Sequence, residues 1–370
     1  MTESQITLGE ILSKRTAAAA PELVDRLENN AVRCHSCGHR CKILDGLSGI
    51  CKVRFNENGV LQVPRGYVAA LQVDPVEKKP FFHAYPGALA LSFGMLGCDY
   101  HCGYCQNWVT SQAVRDPMAG APPTDIEPAD LVKLAKQHGA KVITSTYNEP
   151  LITSEWAVEV FREAKKAGLV CSYVSNGNGT ERVLDYIAPY LTMYKVDLKG
   201  FSDAHYRDLG GTLQPVLDTI RGLKQRGIWL EIVTLVIPGF NDSDREMTNI
   251  AEFLASVDID IPWHITAYHE DYRMHNEATR PQHLLRAYEI GKRAGLRYIY
   301  PGNIPGAFGD LESTHCPQCN DVVIARRGFR VTAYRLNGGK CASCGTAIPG
   351  RWDEAAVVGR DGIPRPVRVA

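Results

Sequence analysis

All but one of the 12 cysteines in this 370-residue chain fall into three groups. The first is Cys34, Cys37, Cys41 and Cys51. The second is Cys98, Cys102 and Cys105, and the third is Cys316, Cys319, Cys341 and Cys344. Closely spaced thiolates are ligands for zinc and for iron–sulfur clusters, and four of them close a tetrahedral site. The middle group, inside "GMLGCDYHCGYCQNW", offers only three. His101 is wedged within that loop and would complete a site only under strain. A centre held by three thiolates keeps one coordination position open, which is what metal-based catalysis requires.

The two outer groups read as closed sites. The third is C-x2-C, 21 intervening residues, then C-x2-C. That gap is slightly longer than the usual zinc-ribbon spacing. The intervening "DVVIARRGFRVTAYRLNGG" reads as a β-hairpin, which fits a structural zinc ribbon. A redox pair or iron is the alternative. The first group is C-x2-C-x3-C-x9-C, with Gly38, Gly46 and Gly49 placed for tight turns. Zinc is its leading reading and an auxiliary iron–sulfur cluster the rival. Cys171, in an apolar run, reads as a small buried hydrophobe.

The formal net charge is zero, so broad attraction to nucleic acid or an acidic membrane surface is not indicated. No run has the length of a membrane-spanning helix, and the N-terminus has no secretory pattern. A cytoplasmic protein is expected, whose clustered thiols bind metal rather than pair as disulfides.

The middle cysteines need a scaffold. Residues 1–30 read as one or two amphipathic helices, and 31–75 as a small loop-rich module. "DPVEKKPFFHAYPG" (74–87) reads as a linker. From residue 88 strands and helices alternate, beginning with strand "ALALSFGM". Several helices end at glycine: Gly139, Gly168, Gly227 and Gly295. Apolar strands between such helices predict a parallel sheet. About seven βα repeats exceed what a doubly wound sheet needs. The expected fold is therefore α/β, a partial or full (β/α) barrel. It carries small N-terminal and C-terminal cysteine-rich metal-binding modules. The expected units are 1–75, 85–305, 310–352 and a peripheral tail, 353–370. The middle cysteines follow the first barrel strand, at the end where barrel chemistry sits.

"CDYHCGYC" matches the C-x3-C-x-aromatic-C signature of the radical S-adenosylmethionine (radical SAM) superfamily. The chain resembles its pyruvate formate-lyase-activating-enzyme branch. More narrowly, it resembles the radical SAM component of the AmmeMemoRadiSam system. That resemblance runs over about residues 30–352, through "CHSCGHRCKILDGLSGICKVR", "STYNEP", "YKVDLKGF", "PWHITAYHEDY" and "YIYPGNIPG".

The resemblance implies that Cys98, Cys102 and Cys105 hold three irons of a [4Fe–4S] cluster. SAM would chelate the fourth through its amino and carboxylate groups. One electron would then cleave SAM to methionine and a 5′-deoxyadenosyl radical, which abstracts hydrogen from a substrate. Tyr104 takes the aromatic position near the adenine. Asn148 and Glu149 close "TYNEP", where the family often has Gly-Gly-Glu, and Glu149 keeps the carboxylate that faces the SAM ammonium. Tyr147 and Asn148 stand in place of the glycines. Ser175 and Asn176 are expected at the ribose or carboxylate, with Val174 where related enzymes can have aspartate. Asp197, Lys199 and His269 complete the SAM-binding set. Each has a plainer reading beside it: a cap or turn at Asn148-Glu149-Pro150, a turn at Asn176-Gly177, an internal ion pair between Asp197 and Lys199. His264 reads equally as a core or a functional histidine.

The resemblance further implies a reductant such as flavodoxin or ferredoxin. The hydrogen donor is a protein glycine, a small molecule or another macromolecule. Two other functions fit the cysteines: a zinc-stabilised binding protein with non-catalytic central cysteines, and a scaffold serving only electron transfer.

Overall fold

The strand-forming runs and glycine-ended helices assemble one large sheet. The computed structural model describes residues 8–116, 119, 122–353, 356–367 and 369. Its main strands are β1 Ala70–Pro75, β2 Leu89–Gly94, β3 Val142–Ser145, β4 Val170–Ser175, β5 Met193–Asp197, β6 Trp229–Val236, β7 Trp263–Ala267 and β8 Ile299–Gly302. They lie side by side in chain order. Strands β2 to β8 run parallel, whereas β1 pairs antiparallel with β2. Among the described residues β1 and β8 do not pair, so the barrel is partial.

Helices α1 Pro128–Gln137, α2 Ser154–Lys166, α3 Glu181–Ile187, α4 Leu213–Gln225, α5 Asp244–Val257 and α6 Pro281–Arg293 fill the crossovers. In α2, Trp156, Ala157, Val160, Phe161 and Ala164 recur at helical spacing and are all buried. At the start of α5 the Ser243 hydroxyl accepts from the Glu246 N–H at 3.2 Å, a side-chain cap. The expected glycines stand at the helix ends with positive φ. No described helix is long and apolar enough to cross a membrane.

Strand alternation sorts the side chains. Tyr194, Val196, Ile232 and Ile265 are buried towards the helices. Lys195, Asp197, Val233, Leu235, His264 and Thr266 face the interior cavity. Cys171 is 1% exposed in β4, its Sγ 3.8 Å from the Phe161 carbonyl, and acts as a core residue.

Three expectations are corrected. Residues 1–7 lie outside the described residues. Of 8–30, only Leu8–Ser13 forms a helix longer than a single turn. Thr16–Ala18 and Val24–Arg26 are instead strands, paired with Val60–Pro64 and Val32–Cys34. The alanine run favours a helix locally, but tertiary pairing overrides that weak preference. The tail also joins the main sheet, where Arg365–Pro366 pairs antiparallel with β1.

The third correction concerns the linker, which is a buried floor. Val76, Phe81, Ala84 and Ala88 pack on Ala90, Val142, Met193 and Trp229, at the N-terminal ends of the strands. The Glu231 carboxylate accepts from the backbone N–H groups of Phe82 (2.9 Å) and His83 (2.8 Å). It also bonds the Trp229 indole N–H at 3.0 Å and His264 Nε2 at 2.7 Å. A buried carboxylate with this many partners fixes the segment in place. His264 is thereby a satisfied core histidine whose ring edge reaches the cavity.

His83 latches the floor to the C-terminal module. Its Nδ1 lies 2.8 Å from the Pro349 carbonyl and its Nε2 2.6 Å from the Tyr300 hydroxyl. The neutral ring suits both, donating to one and accepting from the other. Burial lowers its pKa to about 4 from 6.5, against the opposing charge of Glu231. The folded-state value is depressed, so the unfolded chain binds the extra proton first. Stability from this residue is complete above pH 6.5 and is lost as the pH falls to about 4. The full loss is about 3 kcal/mol. Urea unfolding between pH 7 and pH 4.5 should show wild type weakening more steeply than His83→Gln. Parallel curves would rule His83 out as the source.

Candidate active site

The cysteine loop begins where β2 ends. Gly97 turns the chain with φ +95°, and a Cβ there would lie 2.8 Å from the Val53 side chain. The loop is then fixed by its backbone: the Tyr100 N–H donates to Cys98 Sγ at 3.4 Å, and His101 N–H to the Leu209 carbonyl at 2.9 Å. Gln112 and Arg115 both donate to the Tyr100 carbonyl. The His101 ring is exposed and packs over Gly210, away from the cysteines, so it is no fourth ligand.

Cys98, Cys102 and Cys105 all line a cavity of about 380 Å³ at the C-terminal ends of the strands. Burial raises all three thiols, Cys102 to about 12. As free thiols they stay protonated; a bound metal is what makes such groups thiolates. Three thiols on one wall of this cavity fit an iron–sulfur cluster with an open side.

Tyr104, Asn148, Glu149, Ser175, Asn176, Asp197 and Lys199 line the same cavity. His269 does not. It is exposed at the rim, with Nε2 3.2 Å from the Gln106 amide. Tyr104 is 4% exposed, with Lys199 Nζ 5.8 Å from its ring centre. Asp197 pairs with Lys195 and, at 3.7 Å, with Lys199. Burial works against that carboxylate, but the two ammonium groups outweigh it and hold its pKa low. Asp197 therefore stays an anion at the cavity wall, beside two cations.

Glu149 is more heavily engaged. Its carboxylate accepts from Ser175 Oγ (2.7 Å), the Asn176 N–H (2.8 Å) and the Leu151 N–H (3.0 Å). It thus caps the turn Pro150–Thr153 while facing the cavity. Burial, then the charge of Asp99, raises its pKa. Asn148 accepts from the Met95 N–H at 3.0 Å and ties this turn to the end of β2.

Tyr147 takes a backbone shape that favours glycine. Its φ is +66°, a left-handed conformation that is rare for a bulky residue. Gly94 opposite leaves the space: a Cβ there would lie 2.7 Å from the Tyr147 Cβ. The phenol reaches β1, donating to Asp74 at 2.9 Å, with Lys79 Nζ 3.3 Å away. Lys79 pairs with Asp74 at 2.5 Å, and burial lowers its pKa to about 8.

Several site residues escaped the reading of the sequence. Asp99 anchors both Asn176 Nδ2 (2.7 Å) and Asn178 Nδ2 (2.8 Å). Lys195 was legible in principle, since it shares the strand face of Asp197 and Lys199. Asp74 and Lys79 were hidden because their segment reads as a linker.

At the far end of the chain, Cys316, Cys319, Cys341 and Cys344 place their sulfurs within 4.8 Å of one another. The strands Val322–Arg327 and Arg330–Tyr334 form the hairpin between the knuckles. The unit shares a core with the barrel through Phe82, Tyr298 and Tyr300. Arg326, fully buried, donates to the Phe82 carbonyl at 2.5 Å and lies over the Phe82 ring.

Residues 94–251 match the radical SAM superfamily. The chain is similar to an uncharacterised protein of Methanocaldococcus jannaschii, 33% identical over 88% of this chain and 97% of that protein. It is also similar to the pyruvate formate-lyase-activating enzyme of Staphylococcus aureus, 26% identical over 56% of this chain and 88% of that enzyme. A solved domain of a pyruvate-formate lyase-activating enzyme from Bacteroides vulgatus aligns at 18% identity and TM-score 0.39, covering 43% of this chain and 98% of that domain. With its three-cysteine loop at the mouth of a parallel partial barrel, the chain belongs to the radical SAM superfamily, in its activase-like branch.

Proposed function

We propose that the chain cleaves SAM reductively and uses the 5′-deoxyadenosyl radical to abstract hydrogen from a substrate. The observation that carries this is the three-thiol loop facing a cavity whose other walls hold Asp197, Lys199 and Glu149. When bound, a [4Fe–4S] cluster supplies the electron and SAM the radical precursor; the chain's own residues bind and orient. Cys98, Cys102 and Cys105 hold the cluster. Asp197 and Lys199 would meet the SAM ribose and carboxylate, and Tyr104 would lie near the adenine. The Glu149 carboxylate and Asn148 face the ammonium, with Ser175 and Asn176 bracing that side. His269 serves from the rim. The buried floor shuts the opposite end of the barrel and would keep bulk water from the reaction from that side.

The similarity to pyruvate formate-lyase-activating enzymes supports a glycine on a partner protein as the hydrogen donor. The electron comes from a low-potential carrier of the flavodoxin or ferredoxin class. Anaerobic reconstitution tests the core of this reading. A [4Fe–4S] spectrum that changes on adding SAM is expected, with 5′-deoxyadenosine released under dithionite. A chain that takes up no iron would sink it and favour a zinc-stabilised binding protein.

For the C-terminal unit we propose structural zinc, because its sulfurs already stand at tetrahedral separation. Cys316→Ser should lose about one zinc per chain and cost about 3 kcal/mol or more, since metal binding is part of that unit's folding energy. Elemental analysis and urea unfolding check this. Unchanged zinc content would exclude the assignment.

A further inference from the structure

The N-terminal cysteines are not remote from the active site. Cys34, Cys37 and Cys51 are 6%, 6% and 5% exposed, deep where their module meets the barrel. The Cys34 N–H donates to the Cys41 carbonyl at 3.0 Å, and Cys41 Sγ lies 3.6 Å from a Cβ position at Gly49. The four thiols are close enough that Cys34 and Cys51 act on Cys37, and Cys34 on Cys41.

This group abuts the central loop at several points. The Cys51 carbonyl lies 3.4 Å from the Cβ position of Gly97, the residue before Cys98. Arg115 bridges the Ile50 carbonyl (2.5 Å) and the Tyr100 carbonyl (2.9 Å). His39 Nε2 meets the Asp99 carbonyl at 3.1 Å. Asp99, next to Cys98, is near enough to act on Cys37 as well. Gly38 presses on the exit of β4, where a Cβ would lie 2.3 Å from Asn178 Oδ1.

The chemistry of the group differs from that of the C-terminal unit. Around zinc, with Zn–S near 2.3 Å, thiolate sulfurs stand about 3.8 Å apart. Cys316 and Cys344, at 3.5 Å, come close to that. Among the described residues, no three of the N-terminal sulfurs gather within 4.8 Å. A cubane keeps its thiolates farther apart because four irons lie between them. The N-terminal site also has donors to spare. Arg54 Nε and Ser36 Oγ are buried with no hydrogen-bond partner. Arg54 is influenced by Cys34 and Cys51, and Ser36 lies between Cys34 and Cys37. The sulfurs of a cluster accept such hydrogen bonds, which help set its potential.

We propose that Cys34, Cys37, Cys41 and Cys51 hold a second [4Fe–4S] cluster, through which the electron reaches the SAM-binding cluster. The proposal rests on the central cysteines being that SAM-binding site. A carrier of the flavodoxin or ferredoxin class gives one electron to the N-terminal cluster, which is then reoxidised by the central one. That same electron breaks the sulfonium C–S bond of SAM and leaves methionine and the 5′-deoxyadenosyl radical. No proton is required.

The test is metal analysis of the full chain, reconstituted anaerobically with iron and sulfide in the presence of zinc. About eight irons and about one zinc per chain are expected, with only part of the reduced-cluster signal in electron paramagnetic resonance changing on SAM addition. The variant C98A/C102A/C105A should keep about four irons and a reduced signal that ignores SAM. A wild-type count of about four irons and two zincs, all the iron responding to SAM, would overturn the second cluster and leave the central reading intact. Iron that never responds to SAM would overturn both. Stopped-flow reduction by flavodoxin should be several-fold slower at the central cluster in Cys37→Ala. An unchanged rate would overturn the relay.

Discussion

Cys102→Ala should abolish reductive SAM cleavage and leave the fold almost unchanged. Cys102 is 8% exposed and lines the cavity between Cys98 and Cys105. Without metal it is a buried neutral thiol, its pKa raised by burial to about 12 despite the nearby Lys199 cation. Alanine removes one sulfur from a wall that already borders open space, a change of about 1 kcal/mol. The chemical consequence is far larger. Three thiolates act as one unit on a cluster, so loss of one is not a fractional loss. The SAM-responsive signal and 5′-deoxyadenosine should both fall to background, while urea unfolding of the cluster-free variant stays close to that of cluster-free wild type. A variant that retained SAM-dependent product would remove Cys102 from the ligand set.

The second large effect is on stability. Arg54→Met should cost about 3–5 kcal/mol, the usual price of stripping one partner from a buried ion pair. Arg54 is 1% exposed and grips Glu155 in a two-pronged arrangement, both contacts at 2.8 Å, with a further bond to the Ile152 carbonyl at 3.1 Å. Burial works against the guanidinium charge, but Cys34, Glu155 and Cys51 together keep it firmly protonated. The pair joins the N-terminal module to the start of α2. Methionine would leave the Glu155 carboxylate buried and uncompensated. The double variant R54M/E155L should recover most of the loss, because an apolar pair of similar volume replaces both charges. Urea unfolding of the three proteins decides it. A single variant within about 1 kcal/mol of wild type would show that the contact is idle.

Much of this arrangement was legible in the residues themselves. Parallel strands β2 to β8 announce themselves as apolar runs between glycine-ended helices. The loop after β2 declares its chemistry by having three cysteines where its neighbours have four. Strand parity alone puts Asp197 and Lys199 on one face. What escaped was long-range. Residues 74–87 look like a linker because Pro80, Pro86 and two lysines punctuate them. Their burial comes from partners such as Glu231 and Arg326, more than 140 positions away. Thr16–Ala18 hides for the same reason, as its strand exists only by pairing with Val60–Pro64. Asp99 lay in plain view inside the motif, but its asparagine partners follow β4, and nothing local links them.

The latch between Phe82 and Arg326 has a consequence for biosynthesis. It spans 244 positions of chain. His83 likewise waits for Pro349, 266 positions later. A ribosome releases the N-terminal cysteines, the open-sided loop and all the parallel strands before Arg326 and Pro349, the C-terminal groups that latch the barrel floor, emerge. Contacts of such sequence separation form late and slowly. Metal loading of the early thiols therefore has a window in which the barrel is built but unlocked. A nascent chain stalled before residue 326 should admit solvent from below, and a finished one should not.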